Sequence, residues 1–348
     1  MKAWVLNGIG DIKLKEIEIP SLKSDEVLIC VKVCGICGSD IPRIYSTGAH
    51  KMPLVLGHEF SGQVVAVGQN VEQKWLNKRV GVFPLIPCKE CDFCKQQKYE
   101  LCKNYSYLGS RIDGAFAQYV AVPVWNLIEL PDNVSYEVAA MLEPMAVACH
   151  AIHRVTMNKD DYILVCGAGT IGLMIVMILL EQGYKNILVA GNKTFQENLL
   201  NDIGLPQNYY CDNVKTDINC FVKQKTQGKG VKVFFECVGK DQTINQALNC
   251  IQSEGYICMV GNPHSDISLD RYTYWKILKQ ELTIVGTWNS SYKNDMFDDW
   301  KYVLSILANL PADILITHRF LIEDLQNGID IMHCKSQDYV KVIMLANI

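Results

Sequence analysis

Four cysteines in one short segment have the spacing of metal ligands: Cys88, Cys91, Cys94 and Cys102. The pattern C-x2-C-x2-C-x7-C lets a single loop surround an ion. Four thiolates suit a closed tetrahedral zinc site. An iron–sulfur cluster is the alternative, but the usual bacterial spacing and its trailing proline are missing. Because four protein ligands leave no open position, we expect this site to be structural.

Three other segments offer a mixed set of ligands. Cys37 lies in GICGSD, His58 and Glu59 lie in LGHEF, and Glu143 lies in LEP. A thiolate, an imidazole and a carboxylate leave one position open for water or substrate, as a catalytic zinc requires. Each segment alone is unspecific, since a single cysteine is usually a packing residue. Together with the four-cysteine loop they predict a second, catalytic zinc, and therefore two zinc ions per chain.

A glycine motif, GAGTIG, follows an apolar run and opens a second one. In a strand–turn–helix unit this pattern binds a dinucleotide. Gly167 would make the tight turn, Gly169 would let the backbone approach the pyrophosphate, and Gly172 would allow close helix packing. Thr170 and Ile171 would begin the helix whose N–H groups face the phosphates. The alternative is a glycine-rich turn without a ligand.

The residues after the next strand bear on the choice of cofactor. An NAD-binding chain usually has an acidic residue here, which binds the ribose 2′-hydroxyl. This sequence instead reads Gly191, Asn192 and Lys193. A missing carboxylate removes repulsion against a 2′-phosphate, and Lys193 could pair with that phosphate. We therefore expect NAD(P) binding with a preference for NADP(H); a solvated turn in an NAD enzyme is the alternative.

The elements that must position these residues change along the chain. The first part is β-rich, with short runs such as Glu26–Val33 and Gln63–Val67. The middle repeats strand-like runs with room for helices between them, which predicts βαβ units and a parallel sheet. Those runs are Tyr162–Cys166, Ile187–Ala190, Val231–Cys237, Tyr256–Val260 and Leu282–Val285, and the tail adds helical patterns at Met296–Leu307 and Glu323–Met332 and a strand at Val340–Leu345.

Bulk properties narrow the class of protein. A chain of 348 residues suits two domains. The net charge of −4 argues against a nucleic-acid or anionic-membrane partner. The start lacks a long apolar segment, so the fifteen cysteines indicate metal ligands and free thiols in a cytoplasmic protein. The apolar stretch Tyr162–Leu180 is divided by the glycine motif, which favours a buried strand–turn–helix over a membrane span.

The order of these motifs resembles that in zinc-containing medium-chain alcohol dehydrogenases. The resemblance implies an α/β protein in which residues 1–147 and 292–348 form a GroES-like catalytic domain with two zinc sites. Residues 148–291 would form a Rossmann domain with a doubly wound parallel sheet. It places the catalytic zinc ligands at Cys37, His58 and Glu143, with Glu59 as a conditional fourth ligand. It also implies a homodimer or homotetramer.

A narrower resemblance concerns the substrate. Three segments resemble the galactitol-1-phosphate 5-dehydrogenase branch of this family: SDIPRIYSTGAHKMPLVLGHEFSG, YLGSRIDGAFAQY and KILKQELTIVGTW. This implies hydride transfer from a secondary hydroxyl of a polyol phosphate to the nicotinamide. The alternatives are an unphosphorylated polyol, threonine or a simple secondary alcohol as substrate. The alternative from a different functional class is a zinc-bearing binding protein that has lost the dehydrogenase activity.

Further residues follow from these resemblances. Ser39 occupies the place of a proton-relay hydroxyl, although it could equally be an ordinary turn serine. The histidine that continues the relay in liver-type enzymes is replaced by Pro42. Arg43, His50 and Arg111 lie in the segments of the narrower resemblance, and we expect them to contact a substrate phosphate. The alternative for these three is a solvated surface position.

Overall fold

The computed structural model describes residues 1–263, 265–294 and 297–347. The chain forms two compact units. The first unit combines Met1–Glu143 with Ser291–Ile348, and the second unit is Pro144–Ser290.

The strands and helices of the described residues follow in chain order. The strands are β1 (Lys2–Gly8), β2 (Asp11–Glu16), β3 (Glu26–Ile36), β4 (Leu54–Val55), β5 (Glu59–Val67), β6 (Arg79–Val82), β7 (Leu85–Ile86), β8 (Ser106–Tyr107), β9 (Tyr119–Pro123), β10 (Leu127–Glu129), β11 (Ile163–Cys166), β12 (Ile187–Gly191), β13 (Tyr210–Asp212), β14 (Val231–Glu236), β15 (Ile251–Met259), β16 (Thr283–Gly286), β17 (Ile316–Leu321) and β18 (Lys341–Leu345). The helices are α1 (Asp40–Pro42), α2 (Asp92–Lys95), α3 (Tyr136–Ala139), α4 (Leu142–His153), α5 (Thr170–Glu181), α6 (Thr194–Asp202), α7 (Ile218–Lys225), α8 (Asp241–Cys250), α9 (Arg271–Lys279), α10 (Asp299–Leu307) and α11 (Leu325–Cys334).

The main sheet of the first unit is centred on β3. Its strand order is β10-β6-β5-β3-β18-β17, and β9 also pairs with β3. Strands β5 and β18 run antiparallel to β3 on either side of it. Gly35 near the end of β3 is opposite Glu59 at the start of β5, and Ile36 is opposite Val342 near the start of β18. The end of β3 therefore meets the beginnings of both neighbours.

The second unit contains a six-stranded parallel sheet with the order β13-β12-β11-β14-β15-β16. This is the strand order of a Rossmann fold. The apolar stretch Tyr162–Leu180 forms β11 and most of α5, as the glycine motif predicts. In the described part of the chain, no helix is long and apolar enough to cross a membrane.

Some element boundaries differ from the sequence-based expectations. Strand β13 was not predicted, because it is only three residues long and ends in a charged residue. Strand β15 begins at Ile251, five residues before the predicted start. Helix α10 begins at Asp299, because the Asp298 carboxylate caps it by accepting a hydrogen bond from Lys301 N–H at 2.9 Å. Met296, the predicted start of this helix, lies outside the described residues.

Candidate active site

Cys37, His58 and Glu59 meet where β3 ends and β5 begins. One ligand atom from each residue lies within 4.8 Å of the other two. His58 is 4% exposed and Glu59 is 2% exposed, so both polar side chains are buried. A thiolate, an imidazole and a carboxylate gathered out of water are a suitable donor set for zinc. Two strand ends thus assemble residues that are more than 20 positions apart in the sequence.

Glu143 lies in the first turn of α4 and is also buried. Its Oε1 atom accepts a hydrogen bond from the Tyr107 hydroxyl at 3.1 Å. Among the described residues, Glu143 does not belong to the group of mutually close ligand atoms that includes Glu59. Burial raises the pKa of the Glu143 carboxyl to about 7, and burial also raises the pKa of the Cys37 thiol well above its ordinary range. Both groups therefore favour their neutral forms in the metal-free protein.

Lys341 is a site residue that sequence reasoning missed. It is 2% exposed, and its Nζ contacts the Glu59 carboxylate and donates to the Ile36 carbonyl oxygen at 3.3 Å. Burial lowers the pKa of Lys341, but the nearby Glu59 and Cys37 outweigh it, so the pKa is above its usual value. A buried charge requires such a partner.

Gly35 is the residue that makes room for this pair. A Cβ at this position would lie 2.5 Å from Glu59 Oε2 and 2.7 Å from Lys341 Cε. The two side chains therefore reach each other across β3 only because residue 35 has no side chain.

Asp40 is a second residue that sequence reasoning missed, although it lies in the quoted segment GICGSD. It is fully buried and accepts hydrogen bonds from Cys37 N–H at 3.1 Å and from Arg43 Nη1 at 2.9 Å. Its carboxylate also lies 3.6 Å from Nδ1 of His58. That Nδ1 is buried and has no hydrogen-bond partner among the described residues. A carboxylate beside one ring nitrogen is the arrangement that orients a metal-binding histidine.

The other predicted site residues of this unit have different surroundings. The Ser39 hydroxyl donates to the Cys37 sulfur at 3.3 Å. Arg43 begins a π-helical turn and has one guanidinium nitrogen on Asp40. The Arg111 guanidinium stacks on the Tyr105 ring, with 4.3 Å from its carbon to the ring centre. The Nε atom of Arg111 is buried and has no hydrogen-bond partner in the described part of the chain. His50 is exposed on the loop before β4.

The four cysteines of the loop converge around the short helix α2. One sulfur from each of Cys88, Cys91, Cys94 and Cys102 lies within 4.8 Å of the other three. Backbone N–H groups of Lys103 and Cys94 lower the pKa of the Cys91 thiol to about 6. A lowered pKa favours the thiolate that binds metal. The arrangement therefore fits a closed four-thiolate zinc site.

In the second unit, the glycine motif joins β11 to α5. Gly167 has φ of +103°, a conformation that favours glycine. A Cβ on Gly172 would lie 1.9 Å from the Gly167 carbonyl oxygen, so only glycine lets the helix pack this closely on the turn. Gly169 precedes the first helical residues, Thr170 and Ile171, and a Cβ there would meet no atom within 4 Å. Gly169 therefore leaves open space beside the start of α5.

The end of β12 is closed by neighbouring side chains. A Cβ on Gly191 would lie 2.6 Å from both Gln196 Oε1 and Tyr210 Oη. The Tyr210 hydroxyl accepts a hydrogen bond from Lys193 N–H at 3.2 Å and donates to the Lys193 carbonyl at 3.0 Å. Asn192 and Lys193 are exposed. A side chain at position 191 would therefore require Gln196 and Tyr210 to shift.

Comparisons with known proteins agree with this description. Residues 23–132 match the family model of the alcohol dehydrogenase GroES-like domain, and residues 170–309 match that of the zinc-binding dehydrogenases. Galactitol 1-phosphate 5-dehydrogenase of Escherichia coli is 32% identical over 92% of each chain. L-threonine 3-dehydrogenase of Escherichia coli is 30% identical over 96% of each chain.

A solved structure leads to the same family. The crystal structure of Escherichia coli galactitol-1-phosphate dehydrogenase superimposes with a TM-score of 0.92 at 30% identity, covering 99% of this chain and 100% of the other. The expected fold class, a GroES-like domain with a Rossmann domain, is confirmed. The chain therefore belongs to the zinc-containing medium-chain alcohol dehydrogenases and is an NAD(P)-dependent oxidoreductase of that family.

Proposed function

We propose that this protein is a zinc-dependent dehydrogenase that exchanges hydride between a secondary hydroxyl of a polyol phosphate and NADP. The observation that carries the proposal is the convergence of Cys37, His58 and Glu59 where β3 ends and β5 begins, with the buried Glu143 close by. The substrate class is supported by the similarity to galactitol 1-phosphate 5-dehydrogenase.

The side chains of the first unit have distinct tasks in this proposal. Cys37 and His58 would hold the ion together with a carboxylate oxygen of Glu59, and Glu143, bonded to Tyr107, would lie beside it. When bound, the zinc supplies the Lewis acidity that lowers the pKa of the substrate hydroxyl. Asp40 keeps the His58 ring oriented, and Lys341 balances the charge of Glu59. The Ser39 hydroxyl, 3.3 Å from the Cys37 sulfur, accepts the substrate proton while it releases its own proton to water.

The preference for NADP(H) is part of the proposal. Gly167 and Gly172 allow the tight turn before α5, and Gly169 leaves open space for a pyrophosphate beside the start of the helix. Gly191 provides no carboxylate that would repel a 2′-phosphate. The exposed Lys193 and Asn192 then bind that phosphate through N–H donors.

We propose that Arg43 and Arg111 bind the substrate phosphate. Arg43 has one guanidinium nitrogen on Asp40, which fixes the side chain beside the candidate zinc site. Arg111 has a buried Nε that lacks a protein partner among the described residues, which supports an anionic ligand there. The exposed His50 is a weaker candidate for the same role.

The test of this function is a panel of substrates measured with both cofactors. Galactitol 1-phosphate, galactitol, sorbitol, threonine and a simple secondary alcohol should be compared by kcat/KM. We expect the phosphorylated polyol to be preferred and Arg111→Ala to lower kcat/KM for it alone, by a factor equivalent to about 2 kcal/mol. Arg319→Ala is the matched control, because Arg319 pairs with Glu137 instead.

Three results of that panel would lead to different conclusions. Equal use of galactitol and galactitol 1-phosphate, with no effect of Arg43→Ala or Arg111→Ala, would replace the polyol phosphate by an unphosphorylated polyol or alcohol. Selective use of threonine would assign the activity of the second relative. No turnover of any alcohol, together with bound zinc, would indicate a binding protein.

We propose that the protein forms a homodimer or homotetramer. Strand β16 ends the parallel sheet, so among the described strands it has a partner on one side only. Its Ile284 is 48% exposed, and Trp275 and Leu278 on α9 are 53% and 56% exposed. Sedimentation equilibrium would test this, and a monomer at working concentrations would contradict it.

A further inference from the structure

Tyr107 joins two of the residues that face the candidate zinc site. It lies in the two-residue strand β8, where it is opposite Leu85 of β7. Its hydroxyl donates to Glu143 Oε1 at 3.1 Å. The edge-to-face contact of its ring with His58 has a centroid distance of 5.6 Å and an interplanar angle of 67°. One rigid aromatic side chain therefore contacts both the imidazole and the second carboxylate.

The two carboxylates of the site are held by different partners. Glu59 contacts the buried Lys341, and one of its carboxylate oxygens lies within 4.8 Å of the ligand atoms of Cys37 and His58. Glu143 instead accepts a hydrogen bond from the Tyr107 hydroxyl at Oε1. It does not belong to the group of mutually close ligand atoms formed by the described residues Cys37, His58 and Glu59. Since both carboxylates could fill a coordination position, the partner that restrains Glu143 affects whether a position stays open for substrate.

We propose that Tyr107 is a positioning residue whose hydroxyl holds Glu143 back from the zinc, so that the position needed by the substrate hydroxyl stays open. The inference rests on the proposed zinc-dependent function. The restraint depends on the hydroxyl, because the ring contact with His58 would persist in a phenylalanine. Without the hydroxyl, Glu143 is free to rotate toward the ion and compete with the alcohol.

Replacing zinc by cobalt allows the coordination of Glu143 to the ion to be detected by absorption spectroscopy, without a measurement of activity. Co²⁺ placed in the open site has absorption bands that change with the number and type of its ligands. We expect Tyr107→Phe to alter the bands of the substrate-free protein. The double variant Tyr107→Phe with Glu143→Gln should return to the spectrum of Glu143→Gln alone, because the amide is a poor metal ligand. Tyr105→Phe removes a neighbouring hydroxyl that is not bonded to Glu143 and should leave the wild-type spectrum.

Steady-state kinetics give a second readout. We expect Tyr107→Phe to raise the KM for the alcohol about tenfold, the lower end of the usual effect of residues that orient metal ligands. The KM for the nicotinamide cofactor should stay unchanged. A merely structural loss would instead affect both substrates and would not be reversed by Glu143→Gln.

The outcomes separate this inference from the proposed function. An unchanged cobalt spectrum in Tyr107→Phe, or a change that persists when Glu143→Gln is added, would overturn the role of Tyr107. If the wild-type protein takes up no Co²⁺ beyond the four-cysteine site, the proposed function itself fails. A changed spectrum in Tyr107→Phe that Glu143→Gln removes is the result that the inference requires.

Discussion

Lys341 on β18 contacts Glu59 on β5 across the intervening strand β3, with side chains that are only 2% and 3% exposed. The contact passes over Gly35, the residue of β3 that is opposite Glu59. A carboxylate within ligand distance of Cys37 and His58 is thereby neutralised by the protein itself. The charge of the candidate zinc site is thus set partly by a residue from the C-terminal end of the chain.

Replacing Lys341 by methionine should destabilise the metal-stripped protein. The substitution removes one partner of a buried ion pair and leaves the Glu59 charge uncompensated, which costs about 3–5 kcal/mol. Urea titration of the metal-stripped protein would measure the free energy of unfolding. Lys2→Met is the matched control, because the Lys2–Glu323 pair is exposed and should contribute little. Equal stability of Lys341→Met and the wild type would show that the pair is not charged.

Gly35→Ala should disturb the Lys341–Glu59 pair by crowding it, whereas Lys341→Met removes one partner. The added Cβ would overlap the Glu59 carboxylate and the end of Lys341, which overpacks the strand crossing. We expect a loss of about 1–3 kcal/mol in the free energy of unfolding, together with weaker zinc binding. The control is Gly8→Ala, where a Cβ would meet no atom within 4 Å. Normal zinc content and stability in Gly35→Ala would argue against the close approach.

The residues of the site differ in how far the sequence predicts them. Cys37, His58 and Glu59 were predicted from ligand chemistry and motif order, and the structure brings them together. Lys341 was missed, because nothing near it in the sequence indicates a partner, and its contact depends on the register of three strands. A lysine between the apolar residues Val340 and Val342 was the available signal.

The strands of the fold were also predicted in part from the sequence. Five of the six parallel strands were predicted from apolar runs between helical segments, whereas β13 is too short and polar to give that signal. Asp40 and Tyr107 lie in quoted motifs but were not assigned roles. Their importance comes from their position beside His58, which spacing along the chain does not reveal.

Glu143 should make the stability of the metal-stripped protein depend on pH. Burial raises its pKa to about 7, above the value of an exposed glutamate. The folded state then binds a proton that the unfolded state has already released, so this contribution to stability is lost as pH rises toward and through 7. In Glu143→Gln the loss should disappear, and the stability of the variant relative to the wild type should increase between pH 4.5 and about 7 and stay level above that. If the free energies of unfolding of the wild type and Glu143→Gln change in parallel with pH, this prediction is wrong.

Lys193→Ala should change cofactor preference. The loss of a charge-assisted contact should weaken NADP⁺ by about 1–3 kcal/mol and leave NAD⁺ nearly unaffected. Fluorescence titration with each nucleotide would measure this. Lys215→Ala is the control, because Lys215 is an exposed lysine of the same unit that pairs with Asp212 at 2.8 Å. A wild-type preference for NAD⁺, with both cofactors weakened alike by Lys193→Ala, would contradict the proposal.

The most direct test of the zinc-dependent mechanism is to follow metal content and dehydrogenase activity together during chelation. Two zinc ions per chain are expected in freshly purified enzyme. The ion held by Cys37, His58 and Glu59 should leave first and abolish activity while the fold persists, and added zinc should restore the rate. The four-cysteine ion should resist, since its site is closed. Fully active enzyme with only one zinc per chain would contradict the account.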